Sequence, residues 1–202
     1  KVTALADGGV SAMGARTPFV ASDAVGGFFG AAFQGMGRGN DQVSAQGDGA
    51  GERTSGENSA ASADLFGVTA SGDRSAALGD GSIADGDFSL AAGQNSVASK
   101  TASLAFGDTV TASGEAAVAF GRRSKASAFS SVSFGDKTEA SGVASSAMGR
   151  NSIASGSAAI AMGDGASARG SGSTSLGVQT RAEGDAAFAV GGGSAALGAL
   201  SV

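Results

Sequence analysis

The side chains able to do chemistry in this 202-residue chain are carboxylates, guanidiniums, amines, amides and hydroxyls, because it has no His, Cys, Tyr or Trp. Without His or Cys, Ser–His–Asp triads, thiol nucleophiles and most zinc and copper sites are closed to it. The charged residues that remain keep a strict interval. Asp80, Gln94, Asp108, Arg122, Asp136, Arg150 and Asp164 follow one another every fourteen residues, and from 108 to 164 the sign alternates. Lys125 with Glu139 and Arg169 with Glu183 repeat the interval. Stacked one layer apart, ~4.8 Å in a sheet, such charges form ladders that avoid like-on-like contact and pin register. Exposed pairs of this kind contribute about 0–1 kcal/mol each. No pair of carboxylates stands apart from the ladders, and no Gly-rich loop runs into Lys-Ser or Lys-Thr. The expectation is a protein that is not an enzyme and that uses no cofactor or metal.

Glycine sets the interval. It supplies 36 residues, and Gly79, Gly93, Gly107, Gly121, Gly135, Gly149, Gly163, Gly177 and Gly191 stand fourteen apart without a slip. A second series lies halfway between: Gly86, Lys100, Gly114, Ala128, Gly142, Gly156, Gly170, Gly184 and Gly198. Two glycines per repeat predict two tight corners where φ is free to be positive, with five or six residues of strand between them. At Lys100 and Ala128 the corner must form without positive φ or under strain.

Other uses of glycine fail. One proline and no glycine in every third place exclude collagen. A net charge of −5 with 42% apolar residues is not the composition of a disordered chain. A coiled coil would lose about 1 kcal/mol at each glycine. No apolar run approaches the ~20 residues of a membrane-spanning helix, and the acidic balance argues against nucleic acid as a partner.

The columns of the repeat give the architecture. Five residues after each first-series glycine stands alanine, from Ala84 to Ala182. Two residues before it stand Ala91, Ala105, Ala119, Ser133, Ala147, Ala161, Ser175 and Ala189, and four before it Ser or Ala again, from Ser89 to Ala187. Alternate residues of a strand share a face, so one face carries nothing larger than alanine or serine. The other face carries Leu90, Leu104, Val118, Val132, Ile160 and Phe188 in one column and Phe106, Phe120, Phe134, Met148, Met162, Leu176 and Val190 in the next, interrupted by Ala92, Ser146 and Thr174. A flattened parallel β-roll, or β-solenoid, with 14-residue turns reconciles the two. Small residues fill a narrow interior, and the bulky ones point away from it. Stacked turn on turn, those thirteen form an outer apolar stripe of a size that soluble monomers rarely show. They are the expected interface between copies of the chain, each side chain worth roughly 1.5–3 kcal/mol on burial.

The repeat reads S-x-A-x-G-x-x-x-x-A-x-G-x-x, and Ser103–Ala116 (SLAFGDTVTASGEA) fits every fixed place. Over Asp64–Gly198 it resembles the head-domain repeat of the YadA-like trimeric autotransporter adhesins of Gram-negative bacteria. The resemblance implies an all-β, left-handed parallel β-roll assembled as a homotrimer, with the bulky pair of each turn facing the axis. It implies a place on the bacterial surface and host extracellular-matrix proteins (collagen, fibronectin or laminin) or the host cell surface as partners. A structural spacer or self-association module presenting another binding domain is the alternative. Some relatives carry Asn before the Ser-Val-Ala run. Asn95-Ser96-Val97 and Asn151-Ser152-Ile153 are similar, though in the other half of the repeat, and are the candidate ligand-binding residues on that ground.

Other solenoids differ in spacing. A calcium-binding roll needs aspartates at nonapeptide intervals, and Gly191-Gly192-Gly193 has none. Hexapeptide acyltransferases count in sixes and use a histidine. Ice-binding rolls present ranks of threonine, whereas Thr101, Thr109, Thr111 and Thr138 are scattered.

Two regions are expected: degenerate turns with loop insertions or a cap over residues 1–62, and regular repeats over 63–202. Ser11–Gly14 echoes Ser146–Gly149, which suggests an early turn. Gly14 and Gly30 stand sixteen apart, a turn with two extra residues; Gly67 and Gly79 stand twelve apart, read as a turn with two missing. The polar, glycine-rich Gly35–Ser59 is expected to form protruding loops, where binding often resides. Ser194–Gly198 begins another half-turn, so the natural protein is expected to continue, in this family into a neck, a coiled-coil stalk and a membrane-anchoring barrel, its only contact with a membrane.

Overall fold

The computed structural model describes residues 44–46, 53–56, 58–62 and 67–202. They form a parallel coil of about ten turns in which each turn adds one strand to each of two eleven-stranded sheets. One sheet takes the long strands, which have three residues at Ser44–Gln46, Ala60–Ser62 and Ala76–Leu78 and five from Leu90–Gln94 to Phe188–Gly192. The other takes two-residue strands, from Arg53–Thr54 to Ala195–Ala196. The expected strand length therefore holds for only half of each turn. Corners consume the rest of the other half.

Each regular turn bends at three left-handed residues: the first-series glycine and the residues two and nine places beyond it. In one turn these are Gly107, Thr109 and Ala116, at φ 136°, 58° and 53°. The corner N–H groups donate back to the preceding turn, as Thr109 does to Gln94 O at 2.7 Å, while strand N–H groups donate forward, as Leu104 does to Ala117 O at 2.9 Å. The backbone thus stays paired through the bends, which a buried or stacked chain requires.

The second-series glycines serve a different need from the one expected of them. Gly86, Gly114 and Gly142 are absent from the positive-φ set. A Cβ on Gly114 would instead lie 2.0 Å from Ala128 O in the next turn, and on Gly142 1.9 Å from Gly156 O. The Gly86, Gly114 and Gly142 N–H groups lean on the next turn's Ala98, Ala126 and Ala154 carbonyls at 3.4, 3.4 and 3.3 Å. Where a side chain occupies this place, the N–H meets a serine of its own corner: Lys100 N–H to Ser103 Oγ and Ala128 N–H to Ser131 Oγ, each 3.2 Å. Both corners keep negative φ, as the sequence requires of them.

Register corrects one reading. Ala61 pairs with Ala77, sixteen residues on, while Thr69 pairs with Ile83, fourteen on. Gly67 therefore falls in the column of Gly81, not of Gly79. The turn has two extra residues between Ser62 and Thr69 rather than two missing. Ser44 pairs with Ala60, again sixteen apart, so both sheets run across residue 63. Ser11–Gly14, the Gly14–Gly30 interval and much of Gly35–Ser59 lie outside the described residues.

The interior is as narrow as its residues. Ala84, Ala91, Ala98, Ala105, Ala112 and Ala119 are all fully buried, as are Ser133 and Ser175. A further buried column stands three residues after each glycine from Gly79 to Gly177: Ser82, Ser96, Val110, Ser124, Thr138, Ser152, Ala166 and Thr180. Its hydroxyls find partners inside the coil. Thr138 Oγ1 donates to Ser124 Oγ at 3.1 Å and shares a 2.7 Å bond with Ser133 Oγ, and Ser124 Oγ donates to Gly135 O at 2.7 Å. Buried polar groups without partners are costly, and this pairing makes a hydroxyl column tolerable.

Candidate functional site

The inward alanines of the long strands force their neighbours outward. Val118, Phe120, Leu104, Val132 and Leu176 lie half-buried on the outer face of this sheet, with Leu90 and Met148. Phe106, Phe134, Ile160, Met162, Phe188 and Val190 are exposed, Phe134 by 54%. All thirteen residues of the expected stripe are brought onto one face. The parallel register sets like on like, with Val118 beside Val132 and Phe120 beside Phe134. Phe106, Phe120 and Phe134 accordingly stack, ring centroids 5.0 and 5.4 Å apart and planes within 6° and 16° of parallel. Ala92 is almost fully buried in this column, and Ser146 and Thr174 are half-buried in theirs.

At the edge of the same sheet the charges form pairs rather than a continuous ladder. Arg122 reaches forward to Asp136, with Nε on Oδ1 at 3.2 Å and Nη2 on Oδ2 at 2.7 Å. Arg150 grips Asp164 in the same two-pronged way. The hydrogen bonds from the guanidinium hold the Asp136 and Asp164 carboxyls below the usual carboxylate range and raise Arg122 and Arg150 further above theirs. Lys125 and Glu139 are register partners. Arg169 lies 3.7 Å from Glu183, and Arg181, unremarked in the sequence, lies 3.4 Å from the same carboxylate.

The candidate ligand-binding runs are split by the corner. Asn95 and Asn151 occupy exposed left-handed positions at φ 51° and 52°, and Val97 and Ile153 are half-buried on the outer face of the short-strand sheet. Ser96 and Ser152 point into the coil and are fully buried. Ser96 Oγ donates to Gly107 O at 2.8 Å, and Ser152 Oγ to Met148 O at 2.9 Å. Those two serines belong to the interior hydroxyl column and are withdrawn from any surface site. Among the described residues, no three Asp or Glu side chains converge as a metal site would require.

The model of the YadA head domain repeat, two copies long, matches residues 70–96, 84–109, 112–138, 140–166 and 168–194, more than half of the chain. The chain belongs to the YadA head family. No individually curated protein matches it. Membership makes it an adhesin-type head of the bacterial cell surface, in a family that is non-enzymatic in general. The YadA head matches begin at Ala70, where the spacing between stacked strands settles at fourteen residues. The 16-residue turns beneath lie outside them.

Proposed function

We propose that three copies of this YadA head, each a left-handed β-roll, pack their long-strand sheets around a common axis, forming a rod held out from the outer membrane by other parts of the protein. The observation that carries this reading is the apolar face, which runs from Leu90 to Val190 with three stacked phenylalanines in its first half and breaks only at Ala92, Ser146 and Thr174. Assembly would remove it from water at a gain of roughly 1.5–3 kcal/mol per bulky side chain, whereas a soluble monomer rarely leaves such a patch bare. The short-strand sheets and corners then face outward in three identical copies. Repeated weak contacts along such a rod multiply by avidity, which suits collagen, fibronectin or laminin as partners.

Sedimentation at micromolar concentration tests the assembly: a trimer is expected, and a folded monomer would defeat the reading. Beads bearing the head, mixed with collagen, fibronectin or laminin, test the partner. Retention of the matrix protein is expected. Clumping of beads alone would favour self-association, and inert beads would favour a spacer.

A further inference from the structure

The short-strand sheet carries one notch that the repeat itself explains. In its outer column Ile153, Ser167 and Arg181 stand one above another, and in the corner column beside it Asn151, Gly165 and Gln179 do the same. One turn thus has no side chain at the corner and only a serine's on the strand, where its neighbours carry longer ones. The gap measures about 480 Å³, floored by Gly165 and Ser167 and walled by Ile153 below and by Gln179 and Arg181 above, with Arg169 at its side. Steric need does not explain the glycine. A Cβ on Gly165 would meet only Gln179, at 3.7 Å, an ordinary contact. Its φ of 69° is close to the 52° that Asn151 adopts one turn below. Ser167 Oγ is buried there without a hydrogen-bond partner.

The charge around the notch is lopsided. Arg169 and Arg181 share the single carboxylate of Glu183, at 3.7 and 3.4 Å, longer than the ~2.7–2.9 Å of a charge-assisted hydrogen bond. One positive charge and several N–H donors are left over. Of the other acids nearby, Asp164 is taken by Arg150 and by the Asn151 side chain, and Glu139, one turn below Ile153, has Lys125 as its register partner on the far side. A single excess cation beside an acid fits a monoanion, and guanidinium forks match carboxylates. The apolar flank of Ile153 offers a seat for a ring's C–H face, and Gln179 offers an amide to hydroxyls. We propose that this notch binds one acidic sugar unit, its carboxylate on Arg181 and Arg169 and its ring against Ile153. The notch lies on the sheet that the proposed assembly leaves outward, and its lining comes from one chain, so it does not depend on the assembly.

The repeat supplies its own control, since Gly165→Asn/Ser167→Ile copies the turn below, where Asn151 adopts a similar left-handed φ, and is expected to fill the notch with the circular dichroism of the coil retained. Titration calorimetry and saturation-transfer NMR would use D-glucuronate, D-glucose and sodium sulfate as probes. Glucuronate is expected to bind the native head in the millimolar range, with glucose and sulfate weaker. Both Arg181→Gln and the filled variant should weaken glucuronate at least ~10-fold, with sedimentation unchanged. The proposal is overturned if glucuronate gives no signal, if the filled variant binds it undiminished, or if glucose or sulfate binds as well. A native head that sediments as a monomer but still binds glucuronate would sink the assembly and spare the notch.

Discussion

In the strand Val118–Arg122, Ala119 points inward and Val118 and Phe120 point outward. Around the corner, in Lys125–Ala126, Ala126 points inward and Lys125 outward. Inside, the two sheets are interchangeable, since both present alanine to the same narrow space. Outside, they diverge. One presents stacked phenylalanine and aliphatic residues with breaks at Ser146 and Thr174, the other a mixture in which Ile83, Val97 and Ile153 stand among threonine, lysine, glutamate, serine and arginine. The fold is therefore carried by columns that say little about function, and function by columns that the fold leaves free.

The largest test of that contrast strips the outer face of one sheet. Changing Phe106, Phe120 and Phe134 together to Ser is expected to weaken association by roughly a thousandfold or more, given about 1.5–3 kcal/mol per buried ring. Sedimentation should show monomers with the circular dichroism of the coil retained. Changing Thr111, Lys125 and Glu139 to Ser on the other sheet should leave sedimentation as it was. If both triples dissociate the assembly, or neither does, the two faces are not divided as argued.

Turning inward, the next effect belongs to a single column. Ala119 is fully buried against the opposite strand, and Ala119→Leu is expected to destabilise the coil by about 3 kcal/mol through overpacking. Thr111→Leu, on the outer face of the short-strand sheet that the proposed assembly leaves in solvent, should stay within ~0.5 kcal/mol. Urea denaturation midpoints measure both. Equal effects would mean that the interior is roomier than its alanines imply.

Much of this was legible because it is periodic. The fourteen-residue interval, the alanine columns and the outward bulky pair follow from spacing and side-chain size. What escaped did so for physical reasons. Left-handed φ is imposed on Arg123, Thr109, Ala116 and Phe88 by the corner, and none of those residue types announces it. The second-series glycines look like turn formers but answer to a carbonyl in the next turn. The buried column three residues after the glycine mixes Ser, Val, Thr and Ala, which are equally common on surfaces, so residue type does not mark Ser96 and Ser152 as interior. The notch at Gly165 is visible only when neighbouring turns are stacked.

The two kinds of corner sharpen the comparison on a smaller scale. Ser131 accepts the Ala128 N–H at 3.2 Å and donates to the Ala128 carbonyl at 2.8 Å. Ser145, at the equivalent place beside Gly142, is buried and its Oγ has no partner. Ser131→Ala would orphan a backbone donor and should cost about 1–2 kcal/mol, whereas Ser145→Ala removes an unsatisfied hydroxyl and should be neutral or slightly stabilising. Identical losses would show that the serine does not support the side-chain-bearing corner.

The smallest expected effect lies in the ion pairs at the sheet edge, and its sign is fixed by direction. Hydrogen bonds from Arg122 and Arg150 hold Asp136 and Asp164 below the usual range in the folded coil. The unfolded chain, with carboxyls near ~3.9, therefore binds more protons than the native one as acid is added. The contribution of the pairs is whole above about pH 4 and is lost as the pH falls through the lower native values. Both pairs are open to solvent, so their share is modest and shrinks with salt. Melting temperature followed from about pH 5 to pH 2 should fall less steeply for Asp136→Asn/Asp164→Asn than for the native chain, and the difference should narrow in high salt. An unchanged slope would mean that stacking of the strands alone, and not the alternation of sign along the edge, holds these turns in register.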